Sequence, residues 1–120
     1  IGDVNIDEEP VKKIIFSSHD IMMIILKAEQ MIKLKIGGDY ISALIFLSKS
    51  LSWHPPRYDF DSEISEFKCS CFVKDSGDDL FVGFSSIPFH YKNAKKATKN
   101  KAAKQVYEKI IQKLKKETEE

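Results

Sequence analysis

Lysine is the residue type whose spacing first points to chemistry in this 120-residue chain. Residues 92–120 hold ten lysines and four acids, a net +6, whereas residues 1–91 carry nine cations and fourteen acids, a net −5. The overall charge of +1 therefore hides a basic end that can attract polyanions. On a helical wheel at about 100° per residue, Ala102, Ala103, Val106, Tyr107, Ile110 and Leu114 form one broad apolar stripe. Continued toward the N-terminus, that stripe meets Lys95, Lys96 and Lys99. Lysines laid unpaired over a core are too costly to persist. The helix is therefore expected to overhang its sheet by two turns, so that the three ammoniums converge in solvent. There they stand beside a helix N-terminus, whose free N–H groups and dipole also favour phosphate. Lys92 and Asn93, immediately upstream, join the same candidate site. Lys101, Lys104 and Lys109 point elsewhere and read as solubilising. The alternative is a plain solvated face, which the mutual repulsion of the cluster disfavours.

Other chemistry is weighed and set aside. Cys69 and Cys71 are two residues apart, a spacing that cannot close an ordinary disulfide within one strand, so a reducing intracellular compartment is expected. Either could join His19, His54 or His90 around zinc, but both share a strand face with Phe67 and Val73 and read as buried free thiols. His54, beside Trp53 and two prolines, reads as a loop contact. Asp75, Asp78 and Asp79 lack the ligand spacing of a calcium loop. No serine sits in a nucleophile-elbow context, and phosphate-loop and dinucleotide glycine patterns are absent. The expectation is a non-enzyme with no catalytic residues, metal, cofactor or small-molecule substrate. The longest apolar run, residues 21–26, is far too short to span a bilayer, and no secretory signal is visible, so no membrane partner is expected. A chain starting at Ile1 rather than Met is expected to be a piece of something larger.

The elements that must position the lysines follow from periodicity. Residues 1–16 read as an acidic lead-in: a tail, IGDVNIDEEP, then a short strand or mere approach at 11–16. Residues 17–38 hold a first helix, about 20–36, capped by Ser17 or Ser18 and stopped by Gly37-Gly38. Ile21, Ile24, Ile25, Ala28, Met31 and Ile32 make its stripe. Met22, Met23 and Leu26 fall opposite, which predicts burial on two sides. Residues 39–116 form the main unit. Asp39 caps a helix at about 40–51 with Ile41, Leu44, Leu47 and Leu51 inward, ended by the prolines at 55 and 56. Strands are expected at 57–61 (Tyr58 and Phe60 inward), at 66–74 (Phe67, Cys69, Cys71 and Val73 inward) and at 80–86. A hairpin turn at 75–78 joins the last two. A loop then leads to the basic helix at about 93–116, and 117–120 is an acidic tail. Helices gathered on one face of an antiparallel meander make an α+β fold.

Read together, these segments resemble one family. Lys95-Lys96-Ala97-Thr98-Lys99-Asn100-Lys101-Ala102-Ala103 is similar to the K-K-x-A-K-x-x-A-A motif of double-stranded RNA-binding domains, with Thr98 for the first alanine. Pro56-Arg57-Tyr58 matches the P-x-Y that opens that family's first strand, and Ala43-Leu44 with Leu47 matches its L-L-x-x-L helix. The resemblance covers about residues 39–114 and implies a helix–strand–strand–strand–helix fold preceded here by one extra helix. It further implies recognition of duplex RNA by shape, with Lys95, Lys96 and Lys99 gripping phosphates across the major groove. By the same resemblance Ser62, in the first strand-to-strand loop, and Ser42 and Lys49, on the first helix of the motif, are secondary RNA contacts. Such modules are commonly parts of RNA-processing or RNA-silencing proteins.

Three stretches depart from that pattern, one of them His90-Tyr91-Lys92-Asn93-Ala94, which lacks the glycines that usually precede the lysine motif. The first strand-to-strand loop, Asp61-Ser62-Glu63-Ile64-Ser65-Glu66, carries three acids, and Phe46 stands where the family usually has glutamate. Tyr40, Ala43 and Phe46 then form a second apolar strip on the side expected to face RNA. These departures support an alternative use of the same fold in protein–protein contact. In that reading the extra helix either packs on this strip or forms a homodimer seam, and Met22, Met23, Leu26, Tyr40, Ala43 and Phe46 are the interface candidates.

Overall fold

The structure, a computed structural model, describes residues 15–119. The acidic lead-in at 1–14, with most of the segment read as a strand or approach, and Glu120 lie outside the described residues. Within them the fold is α+β: α1 (Ser18–Lys33), α2 (Tyr40–Ser50), β1 (Arg57–Ser62), β2 (Glu66–Lys74), β3 (Leu80–Pro88) and α3 (Ala94–Thr118). The strands form one antiparallel sheet in the order β1-β2-β3.

α1 and α2 each start where a side chain takes up a free N–H. Ser17 Oγ accepts the Asp20 N–H at 3.1 Å, and Asp39 accepts both the N–H and the hydroxyl of Ser42, at 3.1 and 2.7 Å. Burial alone would raise the Asp39 carboxyl, but the Ser42 bonds and the nearby Lys35 ammonium outweigh it and hold it below its ordinary value. α1 ends at Lys33, three residues short of the expected stop. The chain unwinds through Leu34, Lys35 and Ile36 before Gly37 and Gly38, both in the left-handed region at φ +84° and +87°. At Gly38 a Cβ would also strike the Tyr40 ring, so that turn needs glycine twice over.

The core lies between one face of the sheet and the helices. Cys69, Cys71 and Val73 of β2 meet Ala102, Ala103, Val106 and Ile110 of α3, all essentially buried. At Gly83 of β3 a Cβ would run into the Ala102 carbonyl oxygen, so the missing side chain lets α3 settle onto the sheet. α3 also reaches over the sheet's rim: Gln105 Oε1 accepts the Phe84 N–H at 2.9 Å, and Lys109 Nζ donates to the Val82 carbonyl at 2.6 Å. β3 runs two residues past its expected end, because Ile87 pairs with Phe67 and is buried. α3 likewise continues to Thr118, taking in the first residues of the expected acidic tail.

α1 joins the same core through Ile21, Ile25 and Ala28, packing against α2 and α3. The strip expected to face outward is accordingly covered from within. Ala43 is fully buried, Phe46 is half-buried against the core, and Tyr40 meets the Tyr107 ring edge-on at 5.6 Å between centroids. Within the chain α1 packs against α2 and α3. Burial of α1 on two sides is not found: Met22, Met23 and Leu26 are exposed, because one helix can turn only one stripe to one neighbour layer. Ile41, expected inward, is only half-buried and stands in line with exposed Ile45 and Lys49 along α2.

Candidate nucleic-acid interface

α3 does not overhang the sheet. Its first two turns bury Ala94 and Thr98, so the inward stripe runs 94–98–102 beside the lysines rather than through them. Two small residues are enough to carry the stripe to the helix start. Lys95 and Lys96 are exposed and Lys99 half-buried.

The lysines find an unexpected seat. Lys95 Nζ lies 4.9 Å from the Phe60 ring centroid and Lys99 Nζ 4.5 Å from that of Tyr58, both rings on β1. The match is geometric. Four residues of helix advance about 6 Å and two residues of strand about 6.6 Å. Lysines at i and i+4 therefore stack over aromatics at j and j+2. A cation over an aromatic face is attracted by the ring quadrupole, by about 0.5–1 kcal/mol where exposed. Tyr58 is half-buried, as expected, and burial holds its phenol far above its ordinary pKa. Phe60, expected inward, is 39% exposed and leaves its ring to Lys95.

At the helix start Asn93 adopts a left-handed φ of +57°; its carbonyl accepts the Ala97 N–H at 2.9 Å, but its side chain caps nothing, so the N–H groups of 94–96 gain no side-chain acceptor from it. Lys92 and Asn93 are both exposed beside that turn. Asn100, inside the lysine motif, ties the cluster to the fold: its Oδ1 accepts the Tyr40 N–H and its Nδ2 donates to the Gly38 carbonyl, each at 3.0 Å.

The secondary candidates separate. Lys49 is exposed and lines a hollow together with Lys99. Ser42 is committed to the Asp39 cap. Ser62 is exposed at the far end of β1, its N–H held by Asp61. In the adjoining loop Glu63 is bonded to Lys68 at 2.7 Å, which offsets part of the loop's negative charge. Phe60 as a lysine seat, Asn100 and the Ile41-Ile45 line were missed by sequence reasoning. The signal for the first was present in the i/i+4 lysines and the j/j+2 aromatics.

Burial pushes the Cys71 thiol up to about 12 and raises that of Cys69, so both stay protonated at neutral pH. Among the described residues no group of three or more His, Cys, Asp or Glu side chains is placed to hold a metal, and no helix is long and apolar enough to cross a membrane. Comparison with known proteins returns nothing: no family model, no curated protein and no solved structure matches the chain.

Proposed function

We propose that this chain is a non-catalytic double-stranded RNA-binding module that grips duplex phosphates with Lys95, Lys96 and Lys99. The observation that carries the reading is the lysine seat itself. Two of the three ammoniums stand over β1 rings at a helix start whose N–H groups at 94–96 gain no side-chain acceptor from Asn93, and none of the three lies within 4.0 Å of a carboxylate among the described residues. Such an arrangement favours a run of phosphates over a single buried anion. The order α2-β1-β2-β3-α3 is compatible with the double-stranded RNA-binding domain that the sequence resembles, with α1 as an addition. An intracellular place in RNA processing or silencing goes with this reading.

The test is titration of a blunt RNA duplex of about 20 base pairs, long enough for the roughly 16 that such domains span, at about 50 and 200 mM salt. Binding at the lower salt, steeply weakened at the higher and lost when all three lysines become glutamate, supports the reading. Absence of binding at about 50 mM salt overturns it. A second reading, contact with another protein, is favoured by the exposed Met22, Met23 and Leu26 on α1. Measurement of mass in solution bears on it, since a dimer that dissociates when Met22 and Leu26 become polar would place the seam there.

A further inference from the structure

Two hollows open along α2, and Ile41 and Lys99 line both. The larger, about 670 Å³, also takes in Phe60, Lys95 and Lys96. The smaller, about 380 Å³, is lined as well by Ile45, Lys49, Trp53 and Tyr58. Together they make a groove between α2, β1 and the start of α3. Its rim carries four cations, Lys49, Lys95, Lys96 and Lys99, and among the described residues no carboxylate lines it. Its floor is apolar, with Ile45 44% and Phe60 39% exposed.

A phosphate backbone answers only half of this surface. It pairs with the rim and leaves the aliphatic floor wet. A ligand that is both anionic and aliphatic answers both halves: carboxylates meet the lysines, and branched side chains displace water from Ile41 and Ile45.

We propose that this groove docks an acidic peptide bearing aliphatic side chains, presented by a partner protein. The charge complementarity selects the occupant, because a neutral apolar segment would leave four ammoniums beside a low-dielectric contact. The peptide and duplex RNA share Lys95, Lys96 and Lys99, so each excludes the other. The inference stands on the groove and survives failure of the RNA reading.

The probe is a fluorescent synthetic peptide of about 14 residues with leucines at helical i, i+3, i+4, i+7 spacing and glutamates elsewhere. Its control replaces the leucines with serine. The expected result is a Kd on the order of 10 μM for the leucine peptide, weakened at least about tenfold (1.4 kcal/mol) by Ile45→Gln. The serine control should bind much more weakly, and duplex RNA affinity should be unchanged by Ile45→Gln. Ile45 is exposed enough for that variant to fold, which an unchanged Tm verifies. Equal binding of both peptides, or indifference to Ile45→Gln, means that rim charge alone is at work and overturns the proposal. So does Ile45-dependent binding of oligouridylate, which would assign the floor to unpaired bases, or Ile45-dependent self-association, which would assign it to a second copy. Peptide binding without any duplex binding sinks only the RNA reading.

Discussion

The two ends of α3 use the same residue type for opposite purposes. At the C-terminal end Lys113 Nζ lies 2.6 Å from Asp75 and 3.1 Å from Asp79, with the Asp75 carboxylate buried beneath the β2–β3 turn. Asp75 also accepts the N–H groups of Gly77 and Asp79, so one carboxylate folds the turn and anchors the helix to it. At the N-terminal end Lys95, Lys96 and Lys99 have aromatic rings or solvent for company and no carboxylate within reach among the described residues. A lysine inside an ion network spends its charge on the fold. A lysine resting on a neutral ring keeps its full charge for a visitor. Partner type, more than lysine count, separates a clamp from a binding surface.

Reversing Lys95, Lys96 and Lys99 to glutamate should lower duplex affinity on the order of a hundredfold or more while leaving the urea midpoint nearly unchanged. A large loss of stability in that variant would show the N-terminal lysines to be structural after all. Asp75→Ala should do the reverse. It strands the Lys113 ammonium and unties the turn, costing about 2 kcal/mol in urea denaturation, less than the roughly 3–5 of a fully buried pair because Lys113 is a third exposed. RNA binding by that variant should be unaffected.

Acid separates the two ends further. Burial alone would raise the Asp75 carboxyl, but the Lys113 ammonium and the N–H groups of Asp79 and Gly77 outweigh it and hold it below its ordinary 3.8. A depressed pKa gives stability that is present above the unfolded value and lost as pH falls through the folded one. Urea midpoints should therefore drop below about pH 4, and the drop should shrink in Lys113→Met. The smallest effect belongs to the seat. Phe60→Leu should cost about 0.5–1 kcal/mol of duplex binding, a factor of two to five, and Phe60→Tyr should restore it. If Phe60→Leu leaves both affinity and the Lys95 side-chain proton shifts unchanged, the ring does not hold the ammonium.

Local rules made much of this legible. Ser17, Asp39 and the alternation at 66–74 announce their elements because a cap or a strand face is decided by neighbours in sequence. The lysine cluster was equally visible, since i, i+1 and i+4 share a helix side. What the sequence withheld is set by neighbours in space. Ala94 and Thr98 are buried only because α3 sits over the protein from its first turn, and nothing in their own pattern fixes that position. In the first half of α1 the outer face, with Met22, Met23 and Leu26, is apolar as well, so Met22 and Ile25 look alike until α2 and α3 choose between them. Ile41 and Ile45 belong to a groove whose other wall, β1, lies more than ten residues downstream.

The hold of Gln105 and Lys109 on Phe84 and Val82 has a consequence for assembly. β3 ends the sheet, and an end strand with free N–H and C=O groups invites another chain to continue the ladder. Here two of those groups are already taken by side chains that reach over from the helix. An incoming strand must first evict an amide and an ammonium. The molecule can therefore leave apolar and charged surfaces exposed elsewhere while guarding this margin against runaway cross-β growth.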